Sequence, residues 1–415
     1  MKLRVRQDRI EADLQALAKF GATPEGGVTR LALTPEEEQA REYVQAAFQK
    51  AGLIISVDSI GNIFGRRPGR NPNAPALMLG SHVDSVINGG IFDGNAGVVA
   101  GLEVVRTLTD LGIETENPLE VAVFFAEESA SFGKSCLGSR AFSGQLAPEQ
   151  LKQFVNREGI TLEAALKAKG RDPAKLNDAI RAPHTLAGYL ELHIEQAENL
   201  SLANLPVGIV TGIAAATRLT VQVYGQAGHS GATPMGRRRD ALCAAAEIIL
   251  AVEDIASAQP QGTTVGTVGV VKASPGAINV IPGFAEVQID IRDIYADSKK
   301  NTVAALRDKI AEIAARRKVA VEVAVTADDE PVATAPHLVE LIKEAAVACN
   351  IPYQLMPSAA AHDAAYVAAI APVGMIFVRS EGGSHNPKES AAYSDIALGT
   401  ELLLEAVLRF CTKSA

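Results

Sequence analysis

The chain has 415 residues, of which 47% are hydrophobic and 21% charged, and a formal net charge of -9. That length exceeds what one hydrophobic core usually serves, so two domains are expected. The acidic balance, with no basic run longer than Arg237-Arg238-Arg239, excludes nucleic acid and anionic membrane as main partners. No apolar stretch approaches the ~20 residues that span a bilayer, and the first residues lack the apolar core of a secretion signal. The four cysteines, Cys136, Cys243, Cys349 and Cys411, stand singly, as expected of reduced thiols in a cytoplasmic protein.

Helical periodicity covers 7–20 and 34–51. Thr34-Pro-Glu-Glu37 opens the second helix as a capping box with proline at the first helical position. Strands are expected at 53–58, 76–82, 118–126 and 187–193, with helices at 94–112 and 135–144. This is the alternation of an α/β sheet covered on both faces. A charged, helical insert is expected over 148–180. From 217 to about 327 the order is strand 218–225, helix 239–257, strands 264–271 and 284–293, helix 297–316 and strand 318–326. That βαββαβ order describes a ferredoxin-like domain inserted into the first. The α/β pattern resumes with helix 336–349, strand 373–379 and a last helix over 389–411. Residues 1–212 and 329–415 thus form one domain and 213–328 the other.

The chemically informative residues gather at predicted strand ends. His82 and Asp84 lie two apart where strand 76–82 ends, so their side chains leave the same face, and Asp84 can bond the imidazole nitrogen that a metal does not use. Asp93 follows in the glycine-bracketed FDGNAG, where the chain can turn back over the histidine. Strand 118–126 ends in Glu127-Glu128. Such a pair fits a solvated strand end, and equally a division of labour in which one carboxylate binds metal while its diverging neighbour faces substrate as a base. Strand 187–193 delivers His193 in ELHIEQ, and 373–379 leads to His385 in GGSHNP. Ligands converge at such strand ends in open α/β sheets.

In order, the segments GSHVDSV, NGGIFDGNAGV, FFAEE, CLGSRA, ELHIEQ, GHSGATPM, NVIPG, DIR, HDA and GSHNPKE resemble the hydantoinase/carbamoylase branch of the aminoacylase-type dinuclear metallopeptidases. The branch includes N-carbamoyl-L-amino acid hydrolases, allantoate amidohydrolases and β-ureidopropionases. The resemblance implies a zinc-aminopeptidase-like catalytic domain with a ferredoxin-like lid that also forms a homodimer. It implies two divalent metals per subunit, zinc first, with manganese, cobalt or nickel as other occupants. His82 and His193 would hold one metal, Glu128 and His385 the other, and Asp93 both. Glu127 would be the general base and Asp84 a further catalytic-site residue. His193 stands where peptidase relatives carry a carboxylate. Gln196, His229, Asn279 and Arg292 match substrate contacts, with His229 also stabilising an oxyanion, from its own chain or across the dimer. Arg292 offers a planar fork to a carboxylate, or else makes a rim salt bridge.

His362 lies in a family motif near the site and equally fits a buried structural bond; His184 and His337 receive no role. Ser131 replaces a common arginine, while Ala197, Ala359 and Ala361 replace glycines, all close to the expected pocket. The expected reaction is hydrolysis of a small carboxylate substrate, an N-carbamoyl-L-amino acid, to the amino acid, carbon dioxide and ammonia. Allantoate, another ureido acid or an N-acyl amino acid is the rival substrate. A metal-free binding or scaffold protein of the same fold is the alternative of another class.

Overall fold

The computed structural model describes residues 4–413. Two compact units are present: Met1–Thr211 with Thr334–Met356 and His362–Ala415, and Gly212–Ala333 with Pro357–Ala361. The second unit thus takes in residues on the far side of position 328 and a short segment near 359 that sequence pattern does not reveal.

The first unit is built on a mixed sheet. Its strands lie in the order Ile54–Val57, Ile63–Arg67, Leu119–Phe124, Ala76–His82, Leu186–Ile194, Val373–Val378 and Val207–Ile213. The four strands from Leu119–Phe124 to Val373–Val378 run parallel. Ala76–His82 is buried at every position, as a strand covered on both faces must be. Helices Asn95–Asp110 and Tyr393–Lys413 cover one face together with Gln7–Leu17 and Pro35–Lys50. The short helices Leu137–Phe142 and Asp363–Val367 cover the other. Thr34 caps the second helix by accepting the Glu37 N–H, and Glu37 reaches back to the Leu33 N–H.

Parallel strands place all their C-terminal ends on one edge. His82 and His193 therefore stand on that edge, with Glu127 following its strand by a few residues. The insert 148–180 is less helical than its charge pattern suggests: only Leu162–Ala168 is an α-helix, flanked by the 3-10 turns Pro148–Lys152 and Pro173–Ala179. Prolines open both turns, and their Leu151 and Leu176 pack with Phe125, Phe132 and Leu137 in a satellite core.

The second unit is an antiparallel sheet ordered Ala320–Asp328, Ala215–Tyr224, Phe284–Asp293, Val265–Ser274. Buried and half-buried residues alternate strictly along Phe284–Asp293. Helices Ala241–Ser257 and Ala296–Arg317 supply the apolar layer over the buried side. The observed strand order is that of the ferredoxin-like arrangement read from the sequence. No helix among the described residues is long and apolar enough to cross a membrane.

Gly97 shows how tightly the metal-type strand ends are backed. A Cβ there would lie 2.3 Å from the carbonyl oxygen of Leu192 and 2.8 Å from the Ser81 side chain. Gly97→Ala should therefore destabilise the protein by about 1–3 kcal/mol through overpacking, read as a lowered urea midpoint in circular dichroism. An unchanged midpoint would show that helix and strand can part without cost.

Candidate metal and catalytic site

His82, Asp93 and His193 present ligand-type atoms within 4.8 Å of one another, and Asp93, Glu128 and His385 form a second such group. Asp93 belongs to both. Its Oδ1 stands 3.1 Å from His193 Nε2 and 3.6 Å from His82 Nε2. Its Oδ2 stands 3.6 Å from His385 Nε2, which is itself 3.4 Å from a Glu128 oxygen. His82, Asp93, Glu128 and His193 are buried, while the His385 side chain is half exposed.

Main-chain carbonyls orient both buried imidazoles. His82 Nδ1 lies 3.1 Å from the Asp84 carbonyl and His193 Nδ1 lies 2.9 Å from that of Ile194. A carbonyl only accepts, so each proton belongs on Nδ1 and each Nε2 directs its lone pair at Asp93. In agreement, the Gly94 N–H donates to His193 Nε2 at 3.3 Å. Gly94 is required here: its φ is +66°, and a Cβ would meet the His82 ring at 2.5 Å. This donor set, two imidazoles and shared carboxylates with outward lone pairs, fits divalent transition metals.

Burial opposes positive charge on His82 and His193, but the surrounding carboxylates outweigh it and raise both pKa values, so a proton on the Nε2 that faces Asp93 is the competitor a metal would have to displace. Asp93 is held well below its ordinary range: burial pushes it upward, and the two histidines more than offset that. Burial raises Glu127 to about 7, against the influence of His82. Glu128 is likewise raised well above its ordinary range, by burial and by its acidic neighbours Asp93 and Glu127. The electrostatics thus assign the permanent charge to Asp93 and leave Glu127 able to exchange a proton near neutrality.

Asp84 acts differently from the sequence expectation. Its carboxylate is 3.6 Å from His82 Nδ1, while its two oxygens accept the main-chain N–H groups of Glu127 and Glu128, each at 3.0 Å. The strand ends at Phe124, not 126, and Ala126 has φ +49°. Glu127 and Glu128 diverge because of this turn rather than by strand pleating. Four further main-chain groups of the turn are satisfied. The Asn62 side-chain carbonyl accepts the Phe125 N–H, and the N–H groups of Cys136, Leu137 and Gly138 donate to carbonyls 127, 126 and 125.

Cys136, to which sequence reading gave no part, donates its thiol to Glu127 Oε1 at 3.1 Å. Its left-handed backbone, φ +58°, at the start of a helix places it there. Gln196, also left-handed at φ +62°, donates Nε2 to Asp93 Oδ2 at 2.9 Å. It thus supports Asp93 directly. His362 is buried with its ring 4.5 Å from that of His193. His184 and His337 are exposed. Ser131 is buried and its hydroxyl accepts the Ala32 N–H, a main-chain bond that serves local structure.

Within the second unit, His229 pairs with Val280, next to Asn279, and the Ser230 N–H donates to the Asn279 carbonyl. His229 Nδ1 accepts the N–H groups of Gly231 and Ala232 at 3.1 and 3.2 Å. Its proton therefore sits on Nε2, facing outward as a donor. The Asn279 side chain is exposed. Arg292 is partly committed: Nε donates to Asp290 at 2.9 Å and Nη1 to the Ala359 carbonyl at 3.2 Å.

The model of peptidase family M20/M25/M40 matches residues 78–409. The chain belongs to this family. The N-carbamoyl-L-amino acid amidohydrolase of Geobacillus stearothermophilus is 43% identical over 404 residues, covering 97% of this chain and 98% of its own. A ureidoglycolate hydrolase of Oryza sativa subsp. japonica is 37% identical over 98% of this chain and 85% of its own. The crystal structure of a hydantoinase/carbamoylase family amidase from Burkholderia multivorans superposes with a TM-score of 0.90 at 37% identity, covering 99% of each chain. The α/β fold and the family resemblance read from the sequence are thus borne out.

The double acceptor role of Asp84 is measurable. Asp84→Ala leaves two buried N–H groups without an acceptor and should cost about 2–6 kcal/mol of unfolding free energy. Asp84→Asn, which keeps one carbonyl acceptor, should cost roughly half as much. Equal stability of all three proteins in urea titrations would contradict the assignment.

Proposed function

We propose that this protein is a two-metal amidohydrolase that cleaves the ureido C–N bond of an N-carbamoyl-L-amino acid. Water and substrate give the L-amino acid, carbon dioxide and ammonia. The observation that carries this reading is the sharing of Asp93 between two donor groups, with the protonatable Glu127 beside them. The carbamoylase relatives supply the substrate class.

His82, His193 and Asp93 would hold one divalent ion, and Glu128, His385 and Asp93 the other, zinc being first choice and manganese, cobalt or nickel alternatives. Bound metal would lower the pKa of water and polarise the scissile carbonyl. Glu127 accepts the proton of the attacking water and delivers it to the departing nitrogen, a task suited to a carboxyl raised to about 7. Cys136 and Asp84 hold that carboxylate and its peptide in place. His229 donates Nε2–H to the developing oxyanion. Arg292 and Asn279 bind the substrate carboxylate from the second unit, which serves as a lid and as the contact between two copies of the chain. Binding substrate then requires closure about hinges near Gly212 and Asp328. Four unpaired cysteines support a reducing, cytoplasmic setting.

A second reading, a ureidoglycolate or other ureido-acid hydrolase, is favoured by the plant relative. Ammonia release from N-carbamoyl-L-amino acids, allantoate, ureidoglycolate and N-acetyl-L-amino acids separates the readings. The carbamoyl substrates should show the highest kcat/KM; a higher value for any other class reassigns the substrate. Chelation should abolish turnover and divalent metal restore it. Glu127→Gln should lower kcat by about 10²–10⁴ with metal content retained, and near-normal turnover would remove Glu127 from the base role. Arg292→Ala should raise KM for carboxylate substrates far more than for their amides. An equal rise for both would separate Arg292 from the carboxylate.

A further inference from the structure

Glu389 is buried at 5% exposure and joins two loops that are distant in sequence. Its Oε1 accepts the main-chain N–H of Asp93 at 3.2 Å and, more weakly, that of Phe92 at 3.4 Å. Its Oε2 accepts the Ser384 hydroxyl at 2.5 Å, and the same hydroxyl lies 3.1 Å from Asp93 Oδ2. One carboxylate thus grips the peptide of the shared residue Asp93 and the residue next to His385. The loop carrying His385 closes through the Glu381–Ser390 bridge, whose two N–H···O bonds are 2.8 and 2.9 Å long. His385 itself is left-handed at φ +58° and half exposed, so its placement depends on the loop rather than on packing around the ring.

The opposite wall carries an independent mark of the same contact. A Cβ on Gly90 would fall 2.0 Å from Glu389 Oε1 and 2.7 Å from Glu389 Cβ. No left-handed backbone requires glycine at this position, because Gly90 is absent from the positive-φ residues. The missing side chain is therefore what lets the carboxylate lie against the loop.

We infer that Glu389 is a positioning residue that locks Asp93 to the His385 loop, with Gly90 as its cradle, and so sets the affinity of the Glu128/His385 side for its metal ion. The inference rests on the two-metal reading above. Groups that orient ligands in this way typically contribute about 10–100-fold to metal affinity.

The test is a Mn²⁺ titration of chelator-treated full-length protein, followed by the electron paramagnetic resonance signal of free Mn²⁺. Wild type should take up two equivalents. Glu389→Ala should bind one of them about 10–100-fold more weakly, whereas Glu389→Gln, whose amide oxygen still accepts the two N–H groups, should recover most of the loss. Gly90→Ala should reproduce the weakening in wild type and add much less in the Glu389→Ala background, since the carboxylate it strikes hardest is gone and only the Cβ at position 389, 2.7 Å away, remains. Should Glu389→Ala fail to fold, Gly90→Ala and Glu389→Gln carry the comparison alone. Two equivalents bound with wild-type affinity by Glu389→Ala, or by Gly90→Ala, would overturn the role of Glu389. A wild-type protein that never reaches two equivalents would instead overturn the two-metal reading.

Discussion

One carboxylate on one short loop is the constraint on which the site depends. Asp93 turns Oδ1 to the two buried imidazoles and Oδ2 to Gln196, Ser384 and His385. To do so, its loop must pass directly over the His82 ring, which only glycine at position 94 permits. Because both donor groups share this residue, a small displacement of the loop alters each. The structure accordingly spends several groups on holding it: the Gln196 amide, the Ser384 hydroxyl and the Glu389 carboxylate, which faces Asp93 across the Gly90 cradle. Their cost is buried charge. Burial drives the Glu389 carboxyl up to about 7, with the nearby Asp93 adding to it.

The second feature is how the sheet and the Glu127 turn divide the work. Parallel strands bring His82 and His193 to one edge with little freedom, since helix Asn95–Asp110 presses on them through Gly97. The two glutamates leave their strand through a left-handed Ala126, and six main-chain groups of that turn find partners in Asp84, Asn62 or the segment Cys136–Gly138. The turn therefore resists relaxation, and the carboxylates it carries stay in an environment that raises their pKa values. In the proposed reaction this is what an acid/base group near neutrality needs.

Much of this was legible in the sequence. Apolar runs of strand length ending in His or Glu mark the parallel strands, and the ferredoxin-like order of the second unit follows from strict alternation in segments such as Phe284–Asp293. What escaped are features set by tertiary contact. Ile63–Arg67 was missed because it is short and its last two residues are basic, and Val207–Ile213 because two glycines and a threonine interrupt its apolar pattern. The roles of Asp84, Cys136 and Glu389 depend on which main-chain or side-chain atoms lie opposite, at separations of 43, 9 and 296 residues, and no local periodicity encodes that. Gly90 was visible only as one of a glycine pair. Its function appears when the carboxylate it admits is seen.

In the proposed reaction Asp93 is common to two metal ions, and metal content measures that sharing most directly. Removing a shared anion leaves two cations facing each other without screening, so Asp93→Ala, purified without chelator and analysed by inductively coupled plasma mass spectrometry, should lose both equivalents together. A folded Asp93→Ala protein that keeps one equivalent bound as in wild type would contradict the account.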